Sequence, residues 1–122
     1  MFLKIITTIF ILIFLDSIFF YINQDLLSKQ ILKVQGKPIS LDFFAVLLCY
    51  ITLAFAINYF ILRENKSLWD AFLLGIVINA VYETTTKATL KDWSYKTVVI
   101  DILWGGILFT TTTFIMRKLY KF

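Results

Sequence analysis

The sequence contains no histidine, a single cysteine, one proline and four glycines among its 122 residues. Without histidine, no metal site or general base can use an imidazole, and a lone cysteine cannot form an intrachain disulfide. Any metal ligands would be carboxylate and carbonyl oxygens, and we predict neither a bound metal nor a cofactor. Because proline and glycine are scarce, little of the chain is suited to linkers, and residues 1–122 are expected to form one domain.

Charged residues are also scarce, at 16% of the chain, whereas 60% of the residues are hydrophobic. The mean hydropathy of +0.83 is typical of an integral membrane protein. The net charge of +4 does not indicate nucleic-acid binding, because the basic residues lie between or beside apolar runs and form no separate basic face. Composition therefore predicts the lipid bilayer as a partner, and no nucleic acid.

Four apolar stretches are long enough to cross a bilayer as helices, since a hydrocarbon core of about 30 Å needs about 20 residues. They cover residues 4–22, 41–62, 68–86 and 97–116. After the first stretch, Leu27, Ile31 and Val34 recur at helical spacing, which predicts an interfacial helix over residues 24–35 that ends at Gly36. The predicted fold class is therefore all-α, a four-helix transmembrane bundle.

Polar residues mark the starts of the later helices. Ser40 is expected to cap the second span with Asp42 in its first turn, and Ser67 to cap the third. Asp92 or Ser94 is expected to begin the fourth span.

Four spans place both termini on the same side of the membrane. The basic residues do not decide which side, because six fall on each. We predict a cytoplasmic location for both termini, since Arg117, Lys118 and Lys121 closely follow the last span and the N-terminal amine adds to the charge of Lys4.

Three carboxylates fall at a similar predicted depth, nearer the side opposite the termini. By residue count, Asp16 lies about two thirds along the first span, Glu83 about three quarters along the third, and Asp101 about a quarter into the fourth. Gly75, Asn79 and Glu83 repeat every four residues, a pattern typical of an inward-facing helix surface. Because charge is costly inside a membrane, we expect the three carboxylates to converge in one polar pocket.

Two of these carboxylates also have purely structural explanations. Glu83 and Lys87 have the spacing of a helical ion pair, and Asp101 lies in the first turns of its helix, where the helix dipole favours an anion. Asp16 has no local cation. We expect one of Lys87 and Lys91 to neutralise Glu83, which leaves the other for Asp101 or Asp16.

Two sequence motifs carry a family resemblance. Residues 88–93, ATLKDW, follow Tyr82 and Glu83 in the third span, and residues 100–105, IDILWG, lie in the fourth. Together with Asp16 in the first span, these motifs resemble those of domain-of-unknown-function family 2177, although Glu83 stands where that family has aspartate. The resemblance implies a four-helix integral membrane protein and supplies no established activity.

Three kinds of function are consistent with these residues. In the first, the protein has a structural or assembly role, and the polar residues serve solely to join helices. In the second, they bind or translocate a proton, a cation or a small solute, for which a four-helix chain implies a homo-oligomer. The third function is that of a lipid-modifying enzyme or accessory factor in the membrane, but no nucleophile constellation supports an enzyme. The residues predicted to form the polar cluster are Asp16, Asn79, Tyr82, Glu83, Lys87, Lys91, Asp101 and Trp104.

Overall fold

The computed structural model describes residues 1–120, which fold into five α-helices, one of them with a π-helical end. The helices are α1 (Phe2–Ile22), α2 (Gln24–Gln35), α3 (Phe43–Ala56, continued as a π-helix over Ile57–Leu62), α4 (Leu68–Thr89) and α5 (Tyr95–Tyr120). The all-helical prediction is confirmed.

Three of these helices are long and apolar enough to cross a membrane, judged over residues 1–120 by length and composition. They are α1, α3 with its π-helical end, and α5. Helix α4 has 22 residues but is not one of the three. Thus three candidate spans and one further long helix stand where the sequence predicts four spans.

The long helices form a bundle in which α4 and α5 share the most extensive contact and α1 packs against α3 and α5. Gly75 and Gly105 allow the closest approach of α4 and α5, because a Cβ atom built on Gly75 would lie 2.1 Å from the carbonyl oxygen of Gly105. The hydrophobic core is built mainly from α1, α5 and the π-helical end of α3, and its members include Leu12, Ile57, Leu108, Phe109 and Met116.

The helix ends follow local hydrogen bonds. Asp42 caps α3, because its Oδ1 accepts hydrogen bonds from the backbone amides two and three residues later, at 3.1 and 3.2 Å. The prediction that Ser40 is the cap is therefore wrong; the carboxylate lies directly before the first turn. Ser67 Oγ caps α4 as predicted, at 3.0 Å, and Ser94 Oγ accepts from the third amide that follows it, at 3.2 Å. Gly36 ends α2 with a left-handed φ of 74°.

Candidate functional site

Asp16 joins three helices through its carboxylate. The Tyr50 hydroxyl of α3 donates to one carboxylate oxygen at 2.7 Å, and the Trp104 indole Nε1 of α5 donates to the other at 2.6 Å. Both distances lie in the range of short, well-formed hydrogen bonds. The carboxylate is therefore oriented by two neutral aromatic donors.

An aromatic wall stands beside this carboxylate. The Phe19 ring, one turn along α1 from Asp16, stacks on the Trp104 ring with centroids 4.8 Å apart and an interplanar angle of 10°. The indole is thus held by a ring contact and a hydrogen bond together. Aromatic faces of this kind carry partial negative charge, which attracts cations.

Glu83 and Asp101 form a second acidic group between α4 and α5. Glu83 is 2% exposed, and Trp93 Nε1 donates to its Oε1 at 2.8 Å. The carboxyl groups of Glu83 and Asp101 lie within hydrogen-bonding reach of each other. Asn79 Nδ2 fastens the same region by donating to the Asp101 backbone carbonyl at 2.8 Å.

A cavity of about 1270 Å³ opens between α1, α2 and α3. Asp16, Tyr50 and Asp101 line it together with mostly apolar side chains, and α2 adds a polar edge with Lys29. Phe19 also lines the cavity, so one of the two stacked rings beside Asp16 borders it. The cavity therefore combines an apolar lining with two carboxylates.

Gln30 attaches α2 to the rest of the bundle. Its side chain is 7% exposed; the amide donates to the Asp92 backbone carbonyl at 2.6 Å and accepts from the Ser94 amide at 2.9 Å. A further bond reaches it from the Thr97 hydroxyl at 3.3 Å. Helix α2 is thereby held across the loop between α4 and α5, next to the cavity that it helps to line.

The structure places five of the predicted cluster residues in two separate groups and leaves three outside them. Asp16 bonds to Trp104, and Asn79, Glu83 and Asp101 lie in contact across α4 and α5. The three residues outside these contacts are Tyr82, which is 58% exposed, Lys87 and Lys91.

The predicted ion pair between Glu83 and Lys87 is not formed, which corrects that expectation. Lys87 Nζ donates to the Lys91 backbone carbonyl at 3.1 Å and lies 5.0 Å from the centroid of the Tyr95 ring, while the Trp93 indole bonds to Glu83. Lys91 follows the last residue of α4 in a turn, where its side chain is exposed. Lys91 thus lies beyond the end of α4, and Lys87, in the last turn of α4, contacts the Lys91 carbonyl and the Tyr95 ring instead of Glu83.

Sequence reasoning missed Tyr50, Trp93 and Gln30 as partners of the polar groups. Tyr50 places a phenol hydroxyl near the middle of an apolar run, which was a usable signal. Trp93 resembled a residue of the membrane interface, and Gln30 lay on the polar side of an amphipathic segment. The latter two patterns gave no indication of burial.

The acidic residues around the cavity form no metal-binding group and no ion pair within residues 1–120. In residues 1–120 no group of three or more carboxylate or cysteine side chains has a metal-binding arrangement. Asp16 accepts hydrogen bonds from neutral groups, and the Arg63–Glu64 contact is the sole ion pair within that range. The cavity thus contains two acidic side chains, and neither forms an ion pair with a lysine or arginine of residues 1–120.

Three helices of membrane-spanning length around buried and half-buried carboxylates define an all-helical membrane protein. Residues 1–117 match the family DUF2177, described as predicted membrane protein, and the chain belongs to this family. No curated protein and no solved structure gives a match. Membership confirms the family that the motifs around Glu83 and Asp101 indicated.

Proposed function

We propose that this protein is a four-span membrane protein that binds a small organic cation with an apolar body in the cavity beside Asp16. The observation that carries the proposal is the position of the Asp16 and Asp101 carboxyl groups on the wall of one apolar cavity. A cation would supply the countercharge, and its hydrocarbon part would occupy the apolar remainder.

The charge balance supports a cationic ligand. Within the part of the chain that the structure describes, no lysine or arginine forms an ion pair with Asp16, Glu83 or Asp101. Lys29 lines the same cavity, but it lies on α2 and forms no ion pair with these groups. A buried carboxylate that lacks a cationic partner attracts one from outside the protein.

The aromatic side chains support an organic cation over a metal ion. Phe19 and Tyr50 line the cavity, and Phe19 is held in place by its stack on Trp104. Aromatic faces next to a carboxylate are typical of sites for substituted ammonium groups, which keep little hydration shell. A volume near 1270 Å³ is far larger than a metal ion requires.

A fourth crossing by α4 completes the bundle in this proposal. At 22 residues α4 is about 33 Å long, enough to cross a hydrocarbon core. Glu83, the acidic residue of α4 that lies farther from the helix ends, is buried in the bundle, which lowers the cost of insertion. With four crossings both termini lie on one side, for which we retain the cytoplasmic orientation.

Cys49 provides a built-in reporter for the experiment, because it lines the cavity beside Tyr50. In lipid nanodiscs we would measure the rate at which N-ethylmaleimide alkylates Cys49 with increasing benzyltrimethylammonium. The cation is expected to slow alkylation. Neopentylbenzene is its uncharged carbon isostere. At equal membrane concentration, the slowing of alkylation by neopentylbenzene should be smaller by a factor of at least about ten, the equivalent of about 1.4 kcal/mol.

Two variants make the experiment specific to the site. Asp16→Asn is expected to remove most of the protection by the cation, because it deletes the charge while keeping the shape. Asp70→Asn is the matched control, since Asp70 lies in the first turn of α4 and does not line this cavity. Equal protection by the charged and uncharged compounds, or full protection in Asp16→Asn, would contradict the proposal.

The other two functions predict different results in the same assay. A lipid-directed factor would bind a phospholipid through Lys29. The rate of Cys49 alkylation would then depend on the headgroup of the lipid in the nanodisc and not on benzyltrimethylammonium. A purely structural protein would show no saturable protection by either compound.

A further inference from the structure

Three helices carry the same polar, apolar, polar series at four-residue spacing. The upper polar layer comprises Asp16, Tyr50 and Trp104, and the lower polar layer comprises Thr8, Asn58 and Thr112. The apolar layer between them comprises Leu12, Ala54 and Leu108. Since residues four apart share one face of a helix, each helix presents one member of every layer on the same side.

Contacts between helices place these layers in register. Two hydrogen bonds join α1 to α3: Asp16 with Tyr50, and Thr8 with Asn58 at 3.0 Å. The two bonded positions are eight residues apart on each helix and run in opposite order, as expected for antiparallel helices. On α5, Trp104 bonds to Asp16 within the upper polar layer. Leu108 belongs to the same core cluster as Leu12 and Ala54. Thr112 therefore continues the α5 series to the level of the lower polar layer.

The lower polar layer is fully buried and only partly bonded. Thr8 and Thr112 have no exposed surface, and Asn58 is 2% exposed. Asn58 Nδ2 donates to the Thr8 hydroxyl, which itself donates to the Lys4 carbonyl at 2.7 Å. In residues 1–120, however, Thr112 Oγ1 has no hydrogen-bond partner.

Thr112 differs from its neighbour Thr110, whose hydroxyl donates to the carbonyl four residues earlier at 2.8 Å. That bond is the usual partner of a threonine in a helix. Thr113 also lacks a partner, but it follows Gly105 and Phe109 at four-residue spacing and so lies on the side that faces α4. A buried hydroxyl without a protein partner is typically bonded to a buried water molecule.

The π-helix lies at the same position. Asn58 is its second residue, and the Asn58 carbonyl accepts from the amide five residues later, Arg63, at 2.8 Å. π-Helical segments are rare and frequently occur at functional sites, because the wider turn displaces side chains and backbone groups from their α-helical positions. Asn58, at the start of this segment, keeps the four-residue spacing from Tyr50 and Ala54 and contributes its side-chain amide to the lower polar layer.

We propose that the lower polar layer is a buried hydration site, and that it and Asp16 are the two ends of a proton path through the bundle that the apolar layer closes. A proton would enter on Asp16 from the cavity, cross the apolar layer when water enters it, and leave through water held by Thr112 and Asn58. The Asp16 end shares the cavity of the proposed function but does not require a bound organic cation, and the hydration site is independent of that function.

The first experiment detects water at the lower polar layer. The protein is labelled with ¹³C in threonine methyl groups and reconstituted in nanodiscs, and magnetisation transfer from water to Thr8 and Thr112 is recorded by NMR. Both methyl groups are expected to receive magnetisation, and Thr8 should lose most of it in Thr112→Val. Absence of transfer to Thr8 and Thr112 in the unaltered protein would overturn the hydration site.

The second experiment measures proton flux into liposomes that contain a pH-sensitive dye. Leu108→Ser places a hydroxyl in the apolar layer and is expected to raise the flux about tenfold or more, because one added hydrogen-bonding group lowers the barrier. Thr112→Val in that background should return the flux to its original level, whereas Thr110→Val should not. Leu12→Ser replaces Leu108→Ser if the latter fails to fold.

The results separate this inference from the proposed function. A flux in Leu108→Ser that Thr112→Val leaves unchanged would overturn the path, even if benzyltrimethylammonium protects Cys49. Conversely, a flux that depends on Thr112 without any protection of Cys49 by the cation would support the hydration site and path while contradicting organic-cation binding.

Discussion

At the scale of single residues, Glu83 is nearly inaccessible and its carboxylate is bonded to an indole. Trp93 lies ten residues later, beyond the end of α4, so the chain must turn back for the two to meet. The Trp93 amide bonds to the Leu90 carbonyl at 3.0 Å, which shapes that turn. The turn therefore supplies the partner that the helix itself lacks.

Trp93→Phe is expected to destabilise the folded protein by about 1–3 kcal/mol, because it leaves a buried carboxyl oxygen without its donor while keeping an aromatic ring. The measurement is the melting temperature in a mild detergent. Trp69→Phe is the matched control, since Trp69 is 63% exposed. Equal losses in the two variants would show that the indole bond to Glu83 contributes nothing.

At the scale of helices, the α4–α5 contact depends on glycine. The Cβ of an alanine at position 75 would lie 2.1 Å from the backbone oxygen of Gly105, so α5 would have to move. At position 106, the same atom would meet the Phe72 ring at 2.6 Å and the Ile76 Cδ1 at 3.0 Å, and these side chains can turn away.

Gly75→Ala is therefore expected to cost about 1–3 kcal/mol, as overpacking typically does, and Gly106→Ala clearly less. The two variants add the same methyl group within the same helix pair, which makes them a matched comparison of melting temperatures. A larger loss in Gly106→Ala would indicate that the ring of Phe72 is less able to move than the α5 backbone.

Gln30 holds α2 against the loop between α4 and α5, and loss of its side chain is expected to loosen α2. Gln30→Ala removes the bonds to the α4–α5 loop, so amide hydrogen exchange in α2 should become about tenfold faster for each 1.4 kcal/mol of local stability lost. Gln35→Ala is the control, because Gln35 bonds only to the carbonyls of Lys37 and Pro38 close by. Unchanged exchange in Gln30→Ala would mean that α2 is held by its apolar contacts.

At the scale of the whole molecule, the number of times the chain crosses the membrane decides which loops lie on the same side of it. The α3–α4 loop is tied to the end of α5, since Arg117 donates to the Lys66 carbonyl. The Thr7 hydroxyl bonds to the Tyr120 hydroxyl at 2.7 Å, which brings the start of α1 to the same end. The loop at Lys91 and helix α2 lie together at the other end through Gln30.

Together with the proposed four crossings and cytoplasmic termini, this arrangement predicts the outcome of labelling with a membrane-impermeant maleimide in a Cys49→Ala background. Lys29→Cys and Lys91→Cys should react from the outside of intact cells, and Lys66→Cys only after the membrane is opened. Reaction of Lys66→Cys and Lys91→Cys from the same side would show that α4 does not cross.

Much of the fold follows from local patterns. The apolar runs predict the long helices because a helix is the element that satisfies its own backbone in lipid. The cap at Ser67 and the left-handed Gly36 depend on neighbours within a few residues, which the sequence displays directly. The shared depth of Asp16 and Asp101 follows from counting residues along antiparallel helices, and both line one cavity.

The sequence by itself determined which residues are helical and which family the chain belongs to, because helical periodicity and short motifs are local properties. Tertiary structure alone decided the partners of the carboxylates. Asp16 bonds to Tyr50 and Trp104, 34 and 88 residues away, and Glu83 bonds to Trp93 instead of Lys87. The reason is that the rotation of each helix about its axis, and the residue at which α4 ends, determine which side chain reaches a carboxylate. Only the packing of all the helices sets those rotations.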